Sequence, residues 1–521
     1  MAVLVLILAL TSFAQASSSF MANTIPVRAQ GGLIYANMVS EEVRLHKSLG
    51  IATNTTPNWF MQQIDHLNPS RGQFNQKYYI DYSVWDPHSG PVFLYIGGEG
   101  PLGSSPGGYA AMVGAEQKAL LISLEHRYYG QSIPAPLTDA ETLKTLNVDN
   151  VMADLAAFVN YITETILNGQ KRRWIAIGGS YPGALAAWFR IKHPELAFAS
   201  WSSSGVVHAL FDYSQFDRQI AFELPSDCAN AIRTVTALAE KAWNDPVQRK
   251  RMLGLFNTPD YFTREDFLWM LADSAAMGPQ YGYKAALCEA MTPLSSDPLS
   301  QFALNWTIPH YGPDFGGMCY YSTACLSDAH YQDQWPNQRS WVFQCCNELA
   351  YWQQGYPGSL RSQLITTDYF MAQCRSAFGL SIFPNTSAFN ERYGGANPAL
   401  TKNATRIIAA NGSDDPWQGA CVQQTLSASY PETTAACDGC GEGGVAFAFA
   451  MVSSFLPFVC PSPSHFPLFL LIYIYFYVWF SLTIILTKIT FIPCSCTRKC
   501  INTHVYFCRT LWRSVHSLQL H

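Results

Sequence analysis

No cysteine occurs before Cys228 in this 521-residue chain, and charge is sparse, with Asp, Glu, Lys and Arg making up 13%. The first absence means that the opening part must fold on apolar burial and hydrogen bonding without covalent staples. The low charge is partly the work of an apolar tail described below. Lys and Arg number 32 against 37 Asp and Glu, a formal net charge of −5, so nothing here fits a nucleic-acid partner. There is also no phosphate loop and no histidine pair at ligand spacing, so neither a metal nor an organic cofactor is expected. The extreme N-terminus lacks Lys and Arg, yet Val3–Leu10 is an apolar run and Ala14-Gln15-Ala16 a small-x-small cleavage site, so residues 1–16 are expected to be a secretory signal. The run is too short to span a bilayer.

What cysteine there is supports that compartment. Ten of the 15 cysteines lie between Cys228 and Cys440, which predicts disulfides in the later part, with a pairing that spacing alone leaves open. Cys437-Asp438-Gly439-Cys440 is read as structural, not redox or zinc-binding. Sequons at Asn54, Asn305, Asn385, Asn403 and Asn411 are candidate glycosylation sites; Asn68 is excluded by Pro69.

The chain is organised around Trp174–Gly183, WIAIGGSYPG. Trp174–Ile177 reads as a short buried strand, and a helical pattern begins directly after the Gly-Gly-Ser turn. A serine on such a turn has its hydroxyl pushed out, with the N–H groups of the new helix facing whatever it attacks. Gly178 and Gly179 are expected to permit the strained backbone, and Pro182 sits in the first helical turn at no cost. A G-x-S-x-G pattern would want Gly at 182; here it comes one later, at Gly183.

Around this stretch strands and helices alternate. Trp59–His66 and Gln76–Trp85 suggest a hairpin, and Pro91–Ile96 is an apolar strand that ends in Gly97-Gly98-Glu99-Gly100-Pro101. A glycine-rich loop at that point is where a hydrolase places a second oxyanion N–H, which nominates Gly98. Ala119–Leu124 is another buried strand, leading into Glu125-His126-Arg127-Tyr128-Tyr129-Gly130. His126 precedes the serine in a charged, aromatic cluster and is read as a structural hydrogen-bonding group rather than a base. Asp149–Leu167 has helical spacing. These features predict an α/β fold with a mostly parallel sheet. Residues 210–395 change character, with helix formers, aromatics and cysteines and few strand runs, and read as an inserted helical domain. Ala404–Ala410 is strand-like again and stops at Asn411-Gly412-Ser413-Asp414-Asp415-Pro416-Trp417. An acid on the loop after a late strand, following the serine in order, is where a hydrolase holds the carboxylate that orients its histidine.

The runs FLYIGGEGP, EHRYYG, GGSYPGALAAWFR and NGSDDPW, with WFMQQIDH and SVWDP–GPVF before them, together resemble the serine peptidases that include lysosomal Pro-X carboxypeptidase, dipeptidyl peptidase II and thymus-specific serine protease. The resemblance covers about residues 59–440, the insertion being matched in character rather than motif. It implies an α/β-hydrolase core, residues 17–209 and 396–442, carrying the helical cap at 210–395. It implies an exopeptidase that cuts short peptides next to proline through an acyl-enzyme, in the secretory or lysosomal lumen, with a homodimer allowed. Ser180 matches the nucleophile, the Tyr181 N–H an oxyanion donor, and Asp415 rather than Asp414 the triad acid. Trp417 resembles an aromatic that lines the proline pocket. An esterase is the rival at the level of fold.

The departure lies at the end. Relatives with this Cys-x-x-Cys ending carry the triad histidine just after it, in a Gly-Cys-Gly-His run. Here Gly439-Cys440-Gly441 is followed by Glu442, and no histidine occurs between Asp415 and His465. From residue 443 to 521 the composition turns to Phe, Leu, Ile, Tyr, Val, Ser, Pro and Cys. Phe466–Thr487 is uncharged and long enough to span a bilayer. The usage is also that of T-rich codons, and Gly444-Val445 can be written around a GT splice donor, so the preferred reading is a retained intron, with a membrane anchor and a catalytically dead tethered protein as the alternative. Either way the chain as written is expected to have little activity.

Overall fold

The computed structural model describes residues 53–441, apart from 329–335, 380–381, 396, 398–402 and 437–439. The chain divides into Met1–Phe458 and Val459–His521, and every described residue belongs to the first unit. The signal, the atypical tail and its candidate span at 466–487 lie outside the described residues. Among those described, no helix is long and apolar enough to cross a membrane.

Eight strands form one sheet in the order β1-β2-β4-β3-β5-β6-β7-β8. β1 (Asn58–Gln63) and β2 (Gln73–Asp81) make the expected hairpin, antiparallel with Phe60 opposite Gln76, and β2 runs antiparallel to β4 (Leu120–Leu124). From β4 onward the sheet is parallel: β3 (Val92–Ile96), β5 (Trp174–Gly179), β6 (Ala199–Ser203), β7 (Ile407–Gly412) and β8 (Glu432–Ala435). This strand order and sense of pairing, with helices between parallel strands, is that of an α/β-hydrolase core. β3 is apolar throughout and β4 apolar but for the buried Ser123, because both faces are covered, as parallel strands require. The helix Val148–Thr165 buries Val151, Leu155, Phe158, Val159 and Ile162, and the Asn147 side chain caps it by accepting the Asn150 N–H.

The segment between β6 and β7 is helical, as expected. Its helices include Ser214–Glu223, Ser226–Trp243, Arg264–Gln280, Lys284–Met291, Pro336–Gln344 and Thr367–Phe378. Three disulfides, Cys228–Cys288, Cys319–Cys325 and Cys346–Cys374, all fall within it, while the core before residue 210 has no cysteine at all. Cys440 is also disulfide-bonded. β8 went unread in the sequence. Its residues, Glu-Thr-Thr-Ala, are mostly polar, as suits the last strand of the sheet among the described residues, with only Ala435 buried.

Candidate active site

Ser180 stands between the end of β5 and the helix Tyr181–Lys192, with φ 60° and ψ −130°. That conformation is costly for a residue with a Cβ and persists only where the surroundings hold it. Its own N–H donates to the Ser203 carbonyl oxygen at 2.8 Å, pinning the turn to the end of β6. The strain therefore sits on the serine itself. Gly178 and Gly179 do not take a left-handed φ, which corrects the expectation for them. Gly178 instead supplies clearance, since a Cβ there would lie 2.2 Å from the Pro182 carbonyl oxygen. A Cβ on Gly183 would lie 2.7 Å from the Ser203 carbonyl oxygen, so the displaced glycine marks where the helix crosses β6. A Cβ on Gly98 would meet Pro182 Cγ at 2.5 Å, so the loop after β3 lies directly on the serine turn. Tyr181 heads the helix, in the turn whose N–H groups have no intrahelical partner.

The run Glu125–Gly130 holds that loop in place. Glu125 is fully buried, accepts the Leu102 N–H at 2.8 Å and pairs with Lys77 at 2.7 Å. Gly130 has φ 56°, and a Cβ there would fall 2.2 Å from Glu125 Oε2, so only glycine fits. Arg127 forks onto Asp154 through Nε and Nη2, both at 2.6 Å, and donates further to the carbonyl oxygens of Gln63, Ile64 and Thr145. His126 is buried, and desolvation pushes its pKa down to about 4. Its Nδ1 bonds the Arg127 carbonyl oxygen at 2.7 Å and its Nε2 the Tyr181 hydroxyl at 3.1 Å. Both ring nitrogens are thus occupied within the core, as a structural histidine requires.

Asp415 follows β7, two strands from β5, at the same carboxyl edge of the sheet as Ser180. It is fully buried and Oδ1 accepts the Trp417 N–H at 2.9 Å. Asp414 is committed elsewhere, to Lys284 of the insertion at 2.8 Å. Trp417 packs against Tyr213, Phe216 and Tyr351 at ring centroid distances of 5.5, 5.1 and 5.7 Å. With Trp341, Cys345 and Tyr351 of the insertion it lines an aromatic cavity. Sequence reading missed the insertion's share of that cavity. Ala350 and Tyr351 both have left-handed φ, 58° and 59°, at the point where the insertion bridges Leu210, and no periodic signal marks such a crossing.

Of the sequons, Asn305 and Asn385 are exposed, and Asn385 caps its helix through Oδ1, which leaves the amide nitrogen outside that bond. Asn54 and Asn403 are half-buried and donate to the carbonyl oxygens of Ile80 and Ile191. Asn411 is a correction. It is 2% exposed within β7, and its amide nitrogen donates to Val422 O at 2.7 Å and Glu432 at 3.1 Å, so a glycan has no room there.

A family model described as "Serine carboxypeptidase S28" matches residues 62–439. The chain belongs to this family. A protein named "Probable serine protease EDA2" from Arabidopsis thaliana is 34% identical over 407 residues, covering 75% of this chain and 80% of its own. The thymus-specific serine protease of Mus musculus is 30% identical over 435 residues, covering 75% of this chain and 84% of its own. The lysosomal Pro-X carboxypeptidase of Mus musculus is 25% identical over 397 residues, covering 71% and 80%. Among solved structures, an acetylester hydrolase from Corynebacterium glutamicum covers 77% of this chain at 11% identity and a TM-score of 0.35, too loose a likeness to argue from. The S28 assignment makes the chain's class that of a serine-type peptidase, and its disulfides are those of an oxidising compartment.

Proposed function

We propose that this chain carries the framework of a proline-directed serine exopeptidase of the secretory pathway or lysosome, acting on short peptides through an acyl-enzyme at Ser180. The observation that carries the reading is the strained Ser180 turn and the buried Asp415 at the carboxyl edge of the sheet's parallel strands, with Trp417, two residues after Asp415, walling an aromatic cavity. In this reading Ser180 Oγ attacks the carbonyl carbon, and the N–H groups of Tyr181 and Gly98 take the oxyanion. Trp417, Tyr351 and Trp341 offer flat apolar faces that suit a pyrrolidine ring and ask for no charge.

The base is the missing part. Asp414 donates its N–H to the Cys440 carbonyl oxygen at 2.8 Å, and a Cβ on Gly412 would lie 2.3 Å from that same oxygen. The chain therefore leaves Gly441 beside the loop that holds Asp415. A histidine next in line would suit Asp415; Glu442, which itself lies outside the described residues, cannot take and return the serine proton in the same way. Loss of that member costs on the order of 10⁶ in kcat.

The test uses the purified full chain and chromogenic Xaa-Pro and Pro-Xaa peptides. Turnover at background level is expected, with proline-peptide binding retained and weakened at least about tenfold by Trp417→Ala. Turnover that Ser180→Ala abolishes would overturn the missing base. Binding indifferent to Trp417→Ala would overturn the proline pocket.

A further inference from the structure

The nucleophile's neighbour is gripped from an unexpected side. Tyr181 is fully buried, and its ring lies between His126 and Trp341, each at a centroid distance of 5.6 Å. Its hydroxyl meets two groups, Gln344 Nε2 at 2.7 Å and His126 Nε2 at 3.1 Å. The direction of every bond in this chain can be worked out. His126 Nδ1 faces the Arg127 carbonyl oxygen, which only accepts, so the ring proton is on Nδ1. Burial keeps the ring neutral, so Nε2 accepts. Tyr181 must then donate to His126, and its oxygen is left to accept the amide N–H of Gln344. Gln344 Oε1 in turn accepts the Tyr129 hydroxyl at 2.5 Å. The order Tyr129 → Gln344 → Tyr181 → His126 → Arg127 gives each donor one acceptor and leaves no choice of amide orientation.

Gln344 is itself fully buried and ends the insertion helix Pro336–Gln344, which also carries Trp341. The insertion thus holds the side chain of the residue whose N–H follows the nucleophile. This matters because of Ser180. The orientation of the Ser180–Tyr181 peptide plane is set by ψ of Ser180, −130° at a φ of 60°. No steric well maintains that pair of angles in a residue with a side chain, so contacts from outside must.

We propose that Gln344 is a positioning residue for the oxyanion site: by fixing the Tyr181 hydroxyl it fixes the Ser180–Tyr181 peptide plane and aims the Tyr181 N–H. The proposal rests on the reading of Ser180 as nucleophile given above. It makes the helical insertion part of the catalytic apparatus as well as a roof, since a shift of its helix would loosen the oxyanion site.

The test does not need turnover. A peptide boronate ending in boroproline binds a nucleophilic serine as a tetrahedral anion: Ser180 Oγ donates a lone pair to boron, its proton passes to water, and a boronate oxygen takes the oxyanion's place. The matched peptide ending in ordinary proline carboxylate fills the same pocket without that oxygen. Both are titrated calorimetrically into the full chain and its variants. Gln344→Met and Tyr181→Phe are each expected to weaken the boronate about tenfold and to leave the carboxylate within about twofold, a fraction of the loss of a whole oxyanion donor. The double variant should lose no more than either single one, since both cut the same bond. Gln344→Leu, which has no donor for Tyr181 either, should show the same selective loss and guards against a folding defect peculiar to Gln344→Met. Equal weakening of both ligands, no weakening, or multiplying effects would overturn the proposal. Boronate binding unaffected by Ser180→Ala would overturn the nucleophile and the proposal with it; binding that needs Ser180 but ignores Gln344 overturns the proposal alone.

Discussion

Arg127 in the core and Arg361 in the insertion are both fully buried. Arg127 faces one carboxylate, Asp154, and spends its remaining donors on three backbone carbonyl oxygens. Arg361 faces two carboxylates, Asp217 at 2.8 Å and Asp273 at 2.9 Å, with Gln353 at 3.2 Å, and its Nη1 has no protein acceptor among the described residues. The carbonyl oxygens around Arg127 belong to the end of β1, at Gln63 and Ile64, and to the turn at Thr145, and no disulfide is needed. Around Arg361 lie the helices Ser214–Glu223 and Arg264–Gln280, whose interior carbonyls are already used, so the side chains of Asp217, Asp273 and Gln353 take over. A buried cation beside strand ends and turns can be satisfied largely with backbone. One set against the middle of packed helices takes counter-charge instead, whereas Arg339, buried at helix ends of the insertion, again donates to carbonyl oxygens, those of Leu137, Leu326 and Ala377. The surplus carboxylate shows in Asp273, whose pKa burial raises to about 6 despite the arginine beside it.

Substitution of the two arginines probes that contrast most strongly. Arg127→Met leaves Asp154 with only the His66 ring at 2.7 Å and bares three carbonyls, and urea denaturation should show a loss at the upper end of about 3–5 kcal/mol. Arg361→Met should fall at the lower end of that range at neutral pH. Its cost should shrink below pH 6, as the stranded Asp217 and Asp273 take up protons; a cost independent of pH would break the comparison. Next comes Cys228→Ser with Cys288→Ser, which opens a loop of 60 residues. A loss of about 2–4 kcal/mol is expected, with faster hydrogen exchange in the insertion and unchanged protection in β3 to β6. Smaller again is Gly178→Ala, a core change whose Cβ meets backbone; about 1–3 kcal/mol is expected from strain, with intact disulfides.

The smallest effect is in acid. His126 has a folded pKa of about 4 against an ordinary 6.5, so its neutral burial favours folding above pH 6.5 and that contribution is lost as pH falls toward 4. Asp273 and Glu348, raised by burial to about 6 and about 7, act oppositely, stabilising the fold as pH falls through those values. His126→Gln should therefore raise Tm at pH 4.5 relative to pH 7. A fall in that ratio would show that the ring is not buried neutral.

Much of the core was legible because its signals are local. Short apolar runs gave β3, β4 and β5 to within a residue or two, and helical spacing gave Val148–Thr165. The resemblance carried Ser180, Asp415 and Trp417, and the fold brings all three to one edge or one cavity. The last described strand, β8, was not legible, since one buried residue in four leaves no alternation to read. Asn411 read as a sequon because that motif is a matter of three residues, whereas burial depends on the strands beside it.

The sequence by itself determined the kinds of element, the motif residues, the compartment implied by the cysteines and the absence of a histidine between Asp415 and His465. These are properties of neighbours along the chain. Only the tertiary structure decided that Ser180 rather than its glycines bears the strain, that His126 spends both nitrogens inside the core, and that Gln344 reaches Tyr181 from the insertion. The physical reason is distance in sequence: Gln344 and Tyr181 are separated by 163 positions, and a hydrogen bond across that span leaves no trace in the spacing of either partner.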